Sequence, residues 1–167
     1  MKRPILALLV LLLLGSGCYY TFSPNLPEGI TTVAVPVVKN TTYRFGIEQE
    51  LTTAVIEELL TNSPLTVSSE ENADALLDIT ITGYYTRAVN YDTDESVKQR
   101  ELKVTLDVVF RDLAAKKDLW HDSALAERVL YHDENTAGYT AETEEQVFTR
   151  LVALLAERLI NRIVEGW

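Results

Sequence analysis

Leu102-Lys103-Val104-Thr105-Leu106-Asp107-Val108-Val109-Phe110-Arg111 decides the fold class. Leu102, Val104, Leu106, Val108 and Phe110 alternate with Lys103, Thr105, Asp107, Val109 and Arg111. A period of two puts the first set on one side of a pleated strand and the second on the other, so one face is buried. A sheet with one apolar face needs a second layer to cover it, and the sequence on either side supplies one.

Upstream, Ala75, Leu77, Ile79, Ile81 and Gly83 alternate with Asp78, Thr80 and Thr82, which predicts a second strand of the same design. Residues 84–100, between the two, read as a long loop dense in Tyr, Asp and basic side chains. Loops of that length in compact domains are more often functional than short ones. Earlier still, residues 30–38 are rich in β-branched side chains and predict a strand. Pro36 cannot donate to a ladder, so this strand lies at an edge or ends there. Residues 39–42 form the following loop. Over 44–60 the period changes: Ile47, Leu51, Ala54, Val55 and Leu59 share one helical face, opposite Glu48, Gln49, Thr52, Glu57 and Glu58. Asn62 and Pro64 end that helix. Leu65-Thr66-Val67 is a short extended piece, and residues 68–74 are a polar loop.

Downstream, residues 112–118 make a tight connection into a fourth strand over 119–130, led by Trp120, and 131–139 form a loop. Thr140 or Thr143 can cap a last helix, and Thr143-x-x-Gln146 fits a capping box. Glu142, Glu144 and Glu145 at its start and Arg158 and Arg162 near its end suit the helix dipole. Its apolar stripe is Val147, Leu151, Leu154, Leu155, Leu159 and Ile163. The order is β-α-β-β-β-α. The expected fold is therefore α+β, a two-layer sandwich with two helices packed on one face of a four-stranded sheet.

The N-terminus carries a different message. Lys2 and Arg3 precede an apolar run over 5–14. As a helix that run rises only about 15 Å, half the hydrocarbon thickness, so it is too short to span. A basic start, a short apolar run and small residues after it are the pattern of a secretion signal. Gly15-Ser16-Gly17-Cys18 resembles a bacterial lipobox, in which the cysteine takes a diacylglycerol and becomes the mature N-terminus. The match departs from the usual pattern in having Gly15 where a leucine commonly stands, with Leu14 one place earlier. The expected division is a signal peptide over 1–17, a lipidated tether over 18–29 and a single α+β domain over 30–167. Cys18 is the only cysteine, which suits modification better than a disulfide. N-acyl diacylglycerol on Cys18 would anchor the chain to a membrane. Tyr19 stands where an aspartate would favour inner-membrane retention, so the expected place is the outer membrane, facing the periplasm. The tether holds two prolines and the aromatics Tyr19, Tyr20 and Phe22.

Charge and motifs narrow the function classes. Removing the two cations Lys2 and Arg3 takes the formal net charge from −10 to −12, which argues against a nucleic-acid partner. His121, Asp122 and Ser123 are contiguous, and neighbouring strand residues point to opposite faces, so they make a poor triad. No nucleophile elbow or Gly-rich phosphate loop is present. Asp92, Asp94 and Glu95 lack the spacing of a calcium loop and read as solvated charge. No metal and no cofactor beyond the acyl group is expected, and no reaction is named.

The order of short pieces carries more. A lipobox followed at once by an aromatic-bearing tether, then residues 26–42 (LPEGITTVAVPVVKNTT), the helix over 46–56 (GIEQELTTAVI), Ala73-Asp74-Ala75, Tyr91-Asp92, Leu119-Trp120 and a final amphipathic helix resemble the LptE lipopolysaccharide-assembly lipoproteins. The resemblance implies two helices on a four-stranded sheet, as the pattern does, and a role without catalysis. It implies a partner, the outer-membrane β-barrel LptD, which such proteins plug and help to fold, and a part in moving lipopolysaccharide to the outer leaflet. Some members bind lipopolysaccharide through basic residues. The candidates here are Arg87, Lys98, Arg100 and Lys103, flanking the 84–100 segment, where a hairpin would gather them; plain surface charge is the alternative. Residues 33–40 (VAVPVVKN) also resemble the start of TolB-N-like lipoproteins that regulate peptidoglycan synthases or assemble secretion pores. Those carry longer tethers than the eleven or so residues here.

Overall fold

A computed structural model describes residues 26, 28–91, 97–132 and 138–165, with the side chain of Lys98 excepted. The expected signal peptide, Cys18 and the tether up to residue 25 lie outside the described residues, as do Asp92, Asp94 and Glu95.

The chain forms, in order, β1 (Thr32–Ala34), β2 (Lys39–Asn40), α1 (Ile47–Asn62), β3 (Thr66–Val67), β4 (Ala75–Tyr91), β5 (Val97–Asp112), β6 (Lys117–Tyr131) and α2 (Glu144–Glu165). The strands make one mixed sheet in the order β3-β1-β4-β5-β6, with β2 also paired to β4. β1, β2 and β3 run parallel to their neighbours, whereas β4, β5 and β6 form an antiparallel meander. Both helices pack on one face. The α+β sandwich expected from the pattern is the fold observed.

Three expectations need correction. Residues 30–38 are not one strand. Pro36, which has no N–H to give, separates β1 from β2. The strand ends near it, at Ala34, as one of the two alternatives had it, and does not lie at an edge, since β1 sits between β3 and β4. The four expected strands become six, because residues 39–40 and 66–67 each add a short parallel rung. The third correction matters most. Residues 84–100 are not a long loop: β4 continues to Tyr91 and β5 begins at Val97. Ile81 faces Leu106 and Gly83 faces Thr105, so Thr82 is an extra residue, a β-bulge. The apolar alternation therefore slips by one, from Ile81 on odd numbers to Tyr84 on even numbers, both buried. Tyr85 and Arg87 then point away from the core, and two further register shifts between Ala88 and Tyr91 break the alternation, which is why this stretch has the pattern of a loop.

The core is the helix-facing side of β4, β5 and β6 and the apolar stripes of α1 and α2. Leu102, Val104, Leu106, Val108 and Phe110 are all fully buried, as are Leu51, Val55 and Leu59 of α1 and Val147, Leu151, Leu155 and Leu159 of α2. Helix α1 starts at Ile47 because Gly46 adopts φ 87°, a left-handed turn that a glycine tolerates. Helix α2 starts with the expected capping box: the Gln146 side chain accepts from Thr143 N at 2.9 Å, and Gln146 N donates to Thr143 Oγ1 at 3.3 Å. The two helices run parallel. Thr149 Oγ1 donates to Glu50 Oε1 near both N-termini at 2.6 Å. Arg158 of α2 donates to the Ala126 carbonyl at 2.7 Å and pairs with Glu127 at 2.6 Å, which covers part of the β6 edge.

The chain enters the sheet beside the start of β4, since Val33 pairs with Ala75. Asp74 fastens this entry: its Oδ2 accepts from the backbone N–H groups of Thr31 and Thr32 and from both hydroxyls, at 2.8–3.0 Å. The far ends of β4 and β5 lie on the order of 50 Å away, at about 3.3 Å per strand residue. The described domain is polarised, with the entry of the chain at one end and the far ends of β4 and β5 at the other.

Candidate functional site

Two helices on one sheet face leave the other face bare. Its residues are the second halves of the alternations: Asp78, Thr80 and Thr82 from β4, Lys103, Thr105, Asp107, Val109 and Arg111 from β5, and His121 and Arg128 from β6. Charged pairs cross it. Lys39 meets Asp78 at 2.7 Å, Arg111 meets Asp118 at 2.5 Å, and His121 Nε2 lies 2.8 Å from Asp107 Oδ1. His121 thus faces Asp107 and not Asp122 or Ser123, so the contiguous residues make no triad. Arg111 holds the Asp118 carboxyl below its usual range, mainly through their hydrogen bond. Apart from Val109, this face is polar in its near half.

Toward the hairpin tip the bare face changes character. Register places Tyr85 opposite Lys103, Arg87 opposite Glu101, and Lys103 opposite Arg128 of β6. Glu101 is the only charged or polar residue that is buried among the described residues, at 5% exposure. Arg87 Nε lies 2.8 Å from Glu101 Oε1, and Arg128 Nη1 lies 3.6 Å from Glu101 Oε2. Both arginine side chains are otherwise well exposed, at 67% and 72%. Lys103 has no ion-pair partner among the described residues. A shallow depression of about 400 Å³ opens here, lined by Tyr85, Thr86, Arg87, Glu101 and Lys103. Exposed Tyr85, opposite Lys103, and exposed Leu130, opposite Glu101, lie on this face, and exposed Val89 and Tyr91 follow farther along β4. Three cations around one sunken carboxylate, beside aromatic and aliphatic side chains, can receive an anionic group attached to an apolar body.

The structure therefore divides the four basic candidates. Arg87 and Lys103 come together on the bare face. Arg100, two residues before Leu102 on the same strand, falls on the helix-facing side, opposite Tyr131. Lys98 lies in β5, and its side chain is outside the described residues. Arg128 was missed. Nothing near it in sequence marks it, and only the pairing of β6 with β5 brings it to Lys103. Glu101 was missed for the same reason.

On the helix side of this end, Tyr84 is buried and its hydroxyl donates to Glu144 at 2.6 Å, while its ring meets Tyr43 edge-on and Phe148 at a tilt. Burial, with Glu144 beside it, pushes the Tyr84 phenol well above its ordinary value. Tyr139 stacks on His132 at 4.0 Å. Among the described residues no group of three His, Cys, Asp or Glu side chains is placed to hold a metal.

The same fold occurs in solved lipoproteins. The uncharacterised lipoprotein B from Nitrosomonas europaea is similar with a TM-score of 0.55 at 17% identity, covering 90% of each chain. A protein from Xanthomonas campestris reaches 0.58 at 9% identity, covering 86% of this chain and 90% of its own. A minor lipoprotein from Acinetobacter baumannii reaches 0.54 at 15% identity, covering 80% and 92%. At these identities the likeness concerns the fold alone. No curated protein matches the chain. The family model described as lipopolysaccharide-assembly, LptE, matches residues 30–163, which take in every strand and nearly all of both helices. This chain belongs to the LptE lipopolysaccharide-assembly family, whose role is non-catalytic assembly.

Proposed function

We propose that the protein is an outer-membrane lipoprotein, anchored through acylated Cys18 and facing the periplasm, that plugs and helps to assemble an LptD-type β-barrel. The observation that carries this reading, beyond family membership, is the bare polar sheet face. The lumen of a large outer-membrane barrel is polar and hydrated, and a face built of Thr80, Thr82, Thr105 and crossed ion pairs suits it without burying unpaired charge. A tether of about eleven residues suits a partner seated in the same membrane as the anchor. Lipopolysaccharide is the second partner, its phosphates meeting Arg87, Lys103 and Arg128 and its apolar parts meeting Tyr85, Val89 and Leu130. Lys98 remains a candidate, whereas Arg100, on the helix-facing side, does not join that site.

An affinity pull-down of the acylated protein from native outer membranes, followed by mass spectrometry, tests the main claim. A large β-barrel at near one-to-one yield, retained in high salt, is the expected result. Recovery of a peptidoglycan synthase, or of no barrel, would overturn it and favour the TolB-N-like reading.

A further inference from the structure

Glu101 is out of place. A buried carboxylate is costly to keep unless its charge is matched, and a neutral residue in mid-strand would serve packing better. Here it lies in the central strand of the meander, under two arginines that reach it from the strands on either side. Those arginines are largely exposed and touch Glu101 through Arg87 Nε and Arg128 Nη1 only. Their other N–H groups have no acceptor among the described residues. The Arg87 guanidinium is therefore held at one point by a hydrogen bond, and the Arg128 guanidinium is drawn toward the same carboxylate as an ion pair at 3.6 Å. Both are open at their outer edges, where a phosphate could bind in the two-pronged manner that guanidinium favours.

We propose that Glu101 is a built-in counter-anion for the lipopolysaccharide site. It holds Arg87 and Arg128 in position when the site is empty, and it opposes the incoming phosphate when the site fills. This rests on the reading of that cluster as the lipopolysaccharide contact. The consequence is a ligand held in the right place but weakly, which suits a protein that passes its lipid on instead of storing it. A site with the three cations alone would bind more tightly and release more slowly.

The substitution that separates the two roles is Glu101→Gln. Its side-chain oxygen still accepts from Arg87 Nε, so the Arg87 contact is kept, while the charge that attracts Arg128 and repels phosphate is gone. Lipopolysaccharide binding to the purified acylated protein in detergent is measured for the wild type, for Glu101→Gln and for Arg87→Ala/Arg128→Ala, with dephosphorylated lipopolysaccharide as the second probe. The expected results are about tenfold tighter binding by Glu101→Gln with a steeper loss in salt, at least tenfold weaker binding by the double arginine variant, and no gain from Glu101→Gln toward the dephosphorylated lipid. Weaker binding by the arginine variant with unchanged or weaker binding by Glu101→Gln overturns the counter-anion and leaves the lipopolysaccharide site standing. Unchanged binding by the arginine variant overturns the site itself. Should Glu101→Gln fail to fold by circular dichroism, the wild type decides by NMR. The Arg87 Nε–H resonance shifts on adding lipopolysaccharide and not on adding the dephosphorylated form, and a resonance that stays still overturns the proposal.

Discussion

Asp74 shows how much one side chain can do at a chain entry. Four donors converge on a single oxygen, two of them backbone N–H groups that would otherwise start β1 unpaired. The backbone N–H of Thr31 is the largest cause, followed by the Thr32 hydroxyl, and together the four contacts lower the carboxyl from 3.8 to about 2. The sign of the pH effect follows. A carboxyl with a depressed folded-state value stabilises the fold fully above its unfolded value and loses that contribution as pH falls through the folded one. The wild type is therefore expected to lose stability between about pH 4 and pH 2 more steeply than Asp74→Asn. At neutral pH the variant should melt a few degrees lower, because one bond set is weakened. Thermal melts of both proteins across that range check it; parallel curves would show that Asp74 contributes nothing through its charge. The role of Asp74 was invisible in sequence, where it stood only as the middle of Ala73-Asp74-Ala75. Arg87 and Lys103 were legible as basic residues near a hairpin. Arg128 and Glu101 were not, since a residue joins a sheet-face site only through the register of neighbouring strands.

At the scale of the element, the bulge at Thr82-Gly83 governs the hairpin. It changes which residues face out, and so it creates the bare-face cluster of Tyr85 and Arg87. Gly83 is fitted to it: a Cβ there would lie 2.7 Å from Tyr85 Cε2 and 3.3 Å from Thr105 Cβ. Gly83→Val is expected to destabilise the protein by about 1–3 kcal/mol through overpacking and to displace the Tyr85 ring. Urea unfolding and the Tyr85 ring signals in NMR test this, and wild-type stability with an unmoved ring would mean the close approach is not required. The alternation of β5 and the stripes of α1 and α2 were legible because they are uninterrupted. β4 was legible only as far as Gly83, because one extra residue inverts the pattern and makes a strand resemble a loop. The capping box of α2 could be read since both of its partners lie within four residues.

The whole molecule has a direction. The chain's entry into the sheet lies at one end, with the exposed aromatics Tyr85 and Tyr91 and the Arg87–Glu101–Arg128 cluster toward the other. If the tether holds the near end at the membrane, Cys18→Ser should move the protein from the membrane to the soluble periplasmic fraction while its melting curve in detergent stays unchanged. Fractionation of cells carrying each form, with the Cys18→Ser protein behind a signal peptide whose cleavage does not need the cysteine, decides this; a membrane-bound Cys18→Ser protein would show that a partner, not the acyl chain, retains it. The sequence by itself determined the class of the fold, because a period of two and a period of three-and-a-half each require a single apolar face, and two such helices and such a sheet can only cover one another. It also determined the family, through the order of its short segments. Only the tertiary structure decided which face was left bare and what lies on it. Those depend on strand neighbours and a one-residue slip, and contacts between strands far apart in sequence leave no local trace in it.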